Sequence, residues 1–148
     1  GAEVMVLAGP DGRVGPRLVL EELGRRKVNE VHLEAGARLN GIGKAIETFA
    51  RQNRYTLVRN LASHGVGGAL HEEPEHLPTW HEPGDRRVMH DGLVFTIEPF
   101  LSLGATWAAE TGDGWTLVSS PNAPTVQYEH TMVVTRRGAM VLTQPVVL

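Results

Sequence analysis

The chain has no cysteine in 148 residues, which excludes disulfides, thiolate nucleophiles and cysteine-ligated zinc outright. No apolar run approaches the roughly 18–20 residues of a membrane span. The start, Gly-Ala-Glu-Val-Met-Val-Leu-Ala-Gly, lacks the basic region of a secretory signal. No run of Lys and Arg marks a basic patch, and the balance of 14 basic against 17 acidic residues gives a net charge of −3, so neither nucleic acid nor a membrane surface is an expected partner. The absence of cysteine fits a reducing compartment, and the cytoplasm is the expectation. There is no initial Met, so the chain reads as processed, cut or part of a longer product. What remains is ordinary for a soluble globular protein: 41% hydrophobic and 21% charged residues, enough for a core in one domain or a piece of one.

Residues 9–16 are turn-rich, with two Gly-Pro steps, and 17–31 read as a helix in which Leu20, Leu23, Val28 and Val31 roughly share a face. Ile42, Ala45, Ile46, Phe49 and Ala50 follow the i, i+3, i+4, i+7, i+8 rule, so 40–53 is an amphipathic helix packed on a sheet. Tyr55–Arg59 reads as a short strand, 72–92 as a loop, and Gly92–Glu98 as a central strand. Further strands are expected at Gly114–Val118, Val126–Thr135 and Ala139–Thr143, the last two joined by a hairpin turn at Arg136-Arg137-Gly138. Helices first and strands later indicate an α+β fold, with helices packed on one face of a mainly antiparallel sheet.

Three short islands carry candidate chemistry. In the first, His64-Gly-Val-Gly places a histidine before a backbone free to bend sharply, and His71 follows ahead of Glu-Glu-Pro, where proline forces an extended chain. Each histidine alone is more often a structural hydrogen-bonding group than a ligand. In the second, Glu98 ends the apolar run Leu93-Val-Phe-Thr-Ile and needs a partner if buried, though a strand-end Glu in water is an equal reading. In the third, Glu129 lies mid-strand with Gln127 and Thr131 on its face, toward a polar cavity or, on an edge strand, toward solvent. An imidazole nitrogen and two carboxylates suit a divalent transition metal, but spacing alone does not bring them together.

The segments Asn60–Pro74, Gly92–Phe100 and Gln127–Thr131, with Asp113-Gly-Trp-Thr between the last two and Ala35–Glu47 upstream, resemble the C-terminal portion of a type I methionine aminopeptidase in order and spacing, over about residues 17–143. The resemblance implies an incomplete pita-bread (creatinase/aminopeptidase) fold, so that 1–148 form a single partial domain lacking an N-terminal segment. It implies metal-dependent removal of the initiator methionine from nascent proteins. His64, Glu98 and Glu129 would be metal ligands, with Glu129 shared between two ions. Glu98 would shuttle the water proton, and His71 would stabilise the oxyanion at the scissile carbonyl. Trp115 and Leu70 would line the methionine pocket, Leu70 standing where the family often has an aromatic residue. The cofactors would be divalent ions, Co, Mn, Fe or Zn, two in the complete site.

The departures carry as much weight. The family's other two ligands are strand-borne aspartates from an earlier segment, whereas this chain has only Asp11, Asp85, Asp91 and Asp113, none suitably spaced. Three of five ligands leave room for a single weakly held metal, so the chain alone is expected to be inactive or weakly active. A partial sheet exposes an edge, which invites self-association or pairing with a missing half. Two other readings stay open. One is a proline-specific relative, disfavoured because Glu98-Pro99 continues with Phe100-Leu-Ser-Leu. The other is a catalytically dead pita-bread module that binds peptides or proteins.

Overall fold

The computed structural model describes residues 33–144, all within one compact unit, Val31–Leu148. The turn-rich opening at 9–16, the helix expected at 17–31 and Asp11 lie outside the described residues. Helix α1 spans Asn40–Gln52 and buries Ile42, Gly43 and Ala50. It ends where Asn53 donates its amide and side-chain N–H groups to the Phe49 carbonyl and Arg54 takes a positive φ of 62°. The apolar stripe lies on a core of Leu33, Leu39, Leu77, Met89, Leu93, Phe95 and Val134. Gly43 is required by close approach: a Cβ there would stand 2.0 Å from the Trp80 carbonyl oxygen.

The strands in chain order are β1 (Thr56–Leu57), β2 (Ser63–Gly65), β3 (Glu72–Leu77), β4 (Val94–Ile97), β5 (Phe100–Ser102), β6 (Trp107–Glu110), β7 (Leu117–Ser120), β8 (Thr125–Gln127), β9 (His130–Thr135) and β10 (Gly138–Val141). A five-stranded antiparallel sheet runs β10-β9-β4-β2-β3, a three-stranded one β1-β5-β8, and β6 and β7 pair alone. The apolar run before Glu98 is central, as its composition requires: β4 lies between β9 and β2, and Phe95 is fully buried. The expected hairpin at Arg136-Arg137 is present, with Gly138 at φ 115° closing it. Among the described residues, no helix is long and apolar enough to cross a membrane.

Three assignments change. Residues 72–77, expected as loop, form β3. Pro74 has no N–H for a ladder, but β3 is an edge strand, where that loss is tolerated, and it buries Pro74 and Leu77 against the sheet. The strand expected at Gly114–Val118 begins only at Leu117, because the Asp113 carboxylate accepts N–H bonds from Trp115 and Thr116 and holds that stretch as a turn. The single strand expected over 126–135 is two strands in different sheets, interrupted at Tyr128–Glu129.

Candidate functional site

His64 is the middle residue of β2, whose three residues are all buried. The β2–β3 register shifts between Ser63 and Gly65: the short step along β2 faces the longer stretch from Leu77 to Glu72, so the extra residues bulge out of β3, across from the histidine. Its amide is not left unpaired: His64 N–H donates to the Thr96 hydroxyl on β4 at 3.1 Å. The ring Nδ1 lies 2.9 Å from the Gly65 carbonyl oxygen, which can only accept, so Nδ1 carries the proton and Nε2 is left as the free nitrogen.

That nitrogen faces Glu98. His64 Nε2 and Glu98 Oε1 are 3.3 Å apart, with side chains only 10% and 13% exposed. The same Oε1 accepts the Thr96 hydroxyl proton at 2.7 Å, and the Glu98 backbone N–H donates to Ser63 Oγ at 3.0 Å. Two hydroxyls therefore fix Glu98, Thr96 at its carboxylate and Ser63 at its backbone. Ser63 and Thr96 were absent from the sequence-based candidates; the signal available was a hydroxyl residue immediately before His64 and another inside an otherwise apolar run.

His71 lies in the exposed turn before β3 and lays its ring over that of His64, with centroids 3.9 Å apart and planes 41° apart. Glu129 is exposed between β8 and β9, and its carboxylate accepts from Gln127 Nε2 at 3.3 Å. The backbone nonetheless aligns it with Glu98. Ile97 pairs with His130 on one side and Phe100 with Gln127 on the other, and the same register carried across the gap sets Glu98 opposite Glu129. Among the described residues no group of three or more His, Asp or Glu is disposed to hold a metal ion.

The pair that does converge fits a metal as a donor set. One imidazole nitrogen and one carboxylate oxygen suit divalent transition ions. Two such donors about 2.1 Å from one ion at a near-tetrahedral angle would stand roughly 3.4 Å apart, close to the observed 3.3 Å. The ring is oriented by a carbonyl and the carboxylate by a hydroxyl, as outer partners orient ligands in metal sites.

Leu70 and Trp115 stand in solvent, 72% and 90% exposed, Trp115 at the tip of the β6–β7 hairpin. An apolar hollow of about 320 Å³ opens instead between that hairpin and the three-stranded sheet, lined by Val58, Leu61, Phe100, Leu117 and Gln127 among others. The described aspartates are all engaged elsewhere. Asp85 and Asp91 pair with Arg87 and Arg136. Asp113 accepts hydrogen bonds from Thr111, Trp115 and Thr116, led by the Thr116 hydroxyl, and these hold it well below the usual carboxylate range.

Comparison with known proteins gives a consistent result. The model of metallopeptidase family M24 matches residues 22–136. The chain is 38% identical over 112 residues to a methionine aminopeptidase of Staphylococcus epidermidis, covering 76% of this chain and 45% of that protein. It is 38% identical over 111 residues to methionine aminopeptidase 2 of Bacillus subtilis, covering 75% and 45%. Among solved structures, methionine aminopeptidase from Rickettsia prowazekii superposes with a TM-score of 0.76 at 27% identity, over 90% of this chain and 54% of that one. The chain thus spans less than half the length of these curated relatives.

Proposed function

The chain belongs to metallopeptidase family M24, with an incomplete pita-bread fold, and from that premise we propose that it contributes the His64, Glu98 and Glu129 side of a metal centre for removing N-terminal methionine from nascent proteins. The observation that carries this reading is the 3.3 Å approach of His64 Nε2 to Glu98 Oε1, with the ring tautomer set by Gly65. A bound divalent ion, Co, Mn, Fe or Zn, supplies acidified water and polarises the scissile carbonyl. In this reading His64 and Glu98 would hold the ion, and Glu129, opposite Glu98 in register, would serve as a further ligand. Glu98 accepts the water proton at its carboxylate and returns it to the leaving amine. His71, above His64, donates to the carbonyl oxygen as negative charge grows there. Leu70 and Trp115 close over the methionine side chain, and both must turn inward from the positions described above.

We further take residues 1–148 as one partial domain and the cytoplasm as its compartment. The partners are peptide or nascent-protein N-termini, together with a second set of ligands or a second copy pairing at a free sheet edge. With four aspartates in all and three of them committed to other contacts, the chain alone is weakly active at best. A catalytically silent peptide-binding module is the competing reading, favoured by the absence among the described residues of a three-donor metal cluster.

The metal-stripped chain is titrated with Co²⁺ or Mn²⁺ by calorimetry, then assayed on Met-Ala-Ser and on an Xaa-Pro peptide. The expected result is metal uptake that His64→Ala abolishes, with slow cleavage confined to the methionyl peptide and lost in Glu129→Gln. Absence of uptake supports the binding module and overturns the peptidase reading; preferential Xaa-Pro cleavage moves the substrate to the proline-specific class. Light scattering reporting a stable monomer would remove the self-association.

A further inference from the structure

We propose that Thr96 is a positioning residue whose single hydroxyl sets the His64 main chain and the Glu98 carboxylate together, so that the two converge on one ion; the inference rests on the metal-centre reading above. Thr96 lies in the middle of β4 and is 1% exposed. Its hydroxyl has one proton and two near acceptors: Glu98 Oε1 at 2.7 Å and the His64 carbonyl at 3.4 Å. The shorter contact takes the proton, and the oxygen accepts the His64 N–H at 3.1 Å. A directed chain results, from the His64 amide through Thr96 to Glu98 Oε1, the oxygen that faces His64 Nε2.

Valine would fit the space and the β-branched rotamer yet could perform neither task. The need arises from the backbone. On its other side β2 pairs with β4 through Gly65 and Phe95, a register that sets His64 opposite Thr96, and there the His64 N–H bonds the threonine side chain where a regular ladder would offer the carbonyl. The side chain that satisfies this amide is therefore the one that orients the neighbouring carboxylate. A purely structural threonine would satisfy the amide and leave Glu98 free to rotate; here Oε1 accepts the Thr96 hydroxyl and is kept facing the imidazole nitrogen. Ser63 Oγ, accepting the Glu98 N–H at 3.0 Å, fixes the backbone of the same residue and leaves the carboxylate to Thr96.

The test compares the full chain with Thr96→Val, Thr96→Ser and His64→Ala, titrating each with Co²⁺ alone and recording its melting curve. Thr96→Val is expected to weaken Co²⁺ binding about 10- to 100-fold, the usual loss on removing an outer partner of a ligand. Thr96→Ser, which keeps the hydroxyl, should bind within about threefold of the parent even if it melts earlier from the lost methyl. If Thr96→Val does not fold, Thr96→Ala replaces it, with no hydroxyl and no group able to ligate Co²⁺, and the same loss is expected. Equal Co²⁺ affinity in parent and in the Val or Ala variant overturns the role of Thr96 while leaving the metal centre standing. A parent that binds no better than His64→Ala overturns the metal centre and the inference with it.

Discussion

Gly65→Ala should damage both the fold and the metal site, and the structure says by how much. A Cβ at residue 65 would lie 2.2 Å from the Glu73 carbonyl oxygen, 2.5 Å from its carbon and 2.7 Å from the Glu72 carbonyl oxygen. All three atoms are backbone, so no side chain can turn aside, and ordinary contact begins at 3.4 Å. Strand β3 must therefore retreat by about 1.2 Å, the difference between those two distances. Overpacking of this kind costs about 1–3 kcal/mol. Loosening the Gly65–Glu72 rung costs on the order of 1 kcal/mol more, and the stiffer unfolded chain returns about 0.4–1 kcal/mol. The net is about 2 kcal/mol, or roughly 4–8 °C in melting temperature for a chain of this size. Because the His64 ring hangs on the Gly65 carbonyl, Co²⁺ affinity should fall as well, by about 10- to 100-fold. Gly68→Ala is the control: its Cβ would meet only the flexible Glu72 carboxylate, at 3.4 Å, so stability should change by less than about 0.5 kcal/mol. Thermal unfolding followed by circular dichroism, with a calorimetric Co²⁺ titration, reads both effects. A Gly65→Ala chain that melts with the parent and binds Co²⁺ equally well refutes the claim that close strand approach dictates glycine after the histidine.

Phe95→Ala, at the buried centre of β4, should cost about 3–5 kcal/mol, read as a lowered urea midpoint. A change under about 1 kcal/mol would mean that Phe95 is not at the centre of the core. Asp85 gives a pH signature: the hydrogen bond from Arg87 lowers its folded pKa below the ordinary carboxylate value, so the stabilisation is complete above about pH 4 and is lost as pH falls through that lowered value. Asp85→Asn should therefore narrow its melting-temperature gap from the parent as the pH is taken down through that range; a gap that widens reverses the sign. Trp115→Ala should leave the melting temperature within error, since the ring is 90% exposed, whereas Asp113→Ala should accelerate amide exchange at Trp115 and Thr116, whose N–H groups it holds. Unchanged exchange would show that the turn does not depend on the carboxylate.

The elements legible in the sequence are those whose signal is local. Helix α1 announced itself through Ile42, Ile46 and Ala50, and β4 through an uninterrupted apolar run, because each pattern reports the face that the segment buries. Strand β3 was hidden because Pro74 and the surrounding charges read as loop; only the sheet's order shows it to be an edge, where both are permitted. Trp115 illustrates a different limit. Its motif was legible, but the Asp113 turn presents the ring to solvent, and no residue spacing states which way a hairpin tip leans.

The division of 126–135 into β8 and β9 follows from a residue on the opposite strand. Period-two alternation continues from Val126 through Met132, so nothing at Tyr128–Glu129 predicts a break. Pro99, across the ladder, has no N–H to give, and pairing lapses over Glu98–Pro99 and Tyr128–Glu129 before resuming in the same register with Phe100 and Gln127. The lapse separates two sheets and frees two carboxylates, at the same place, from the constraint of a regular ladder. A central strand would otherwise flank glutamates with packed apolar neighbours, at a desolvation cost of several kcal/mol per charge. At the gap, Glu98 can be gripped by Thr96 and Ser63 while Glu129 stays in water. Restoring the ladder donor with Pro99→Ala should therefore draw β4 and β5 toward one continuous strand and increase amide protection at Tyr128, which the register sets opposite residue 99. No change in protection there would mean that the gap is set by the two sheets' curvature and not by the missing N–H.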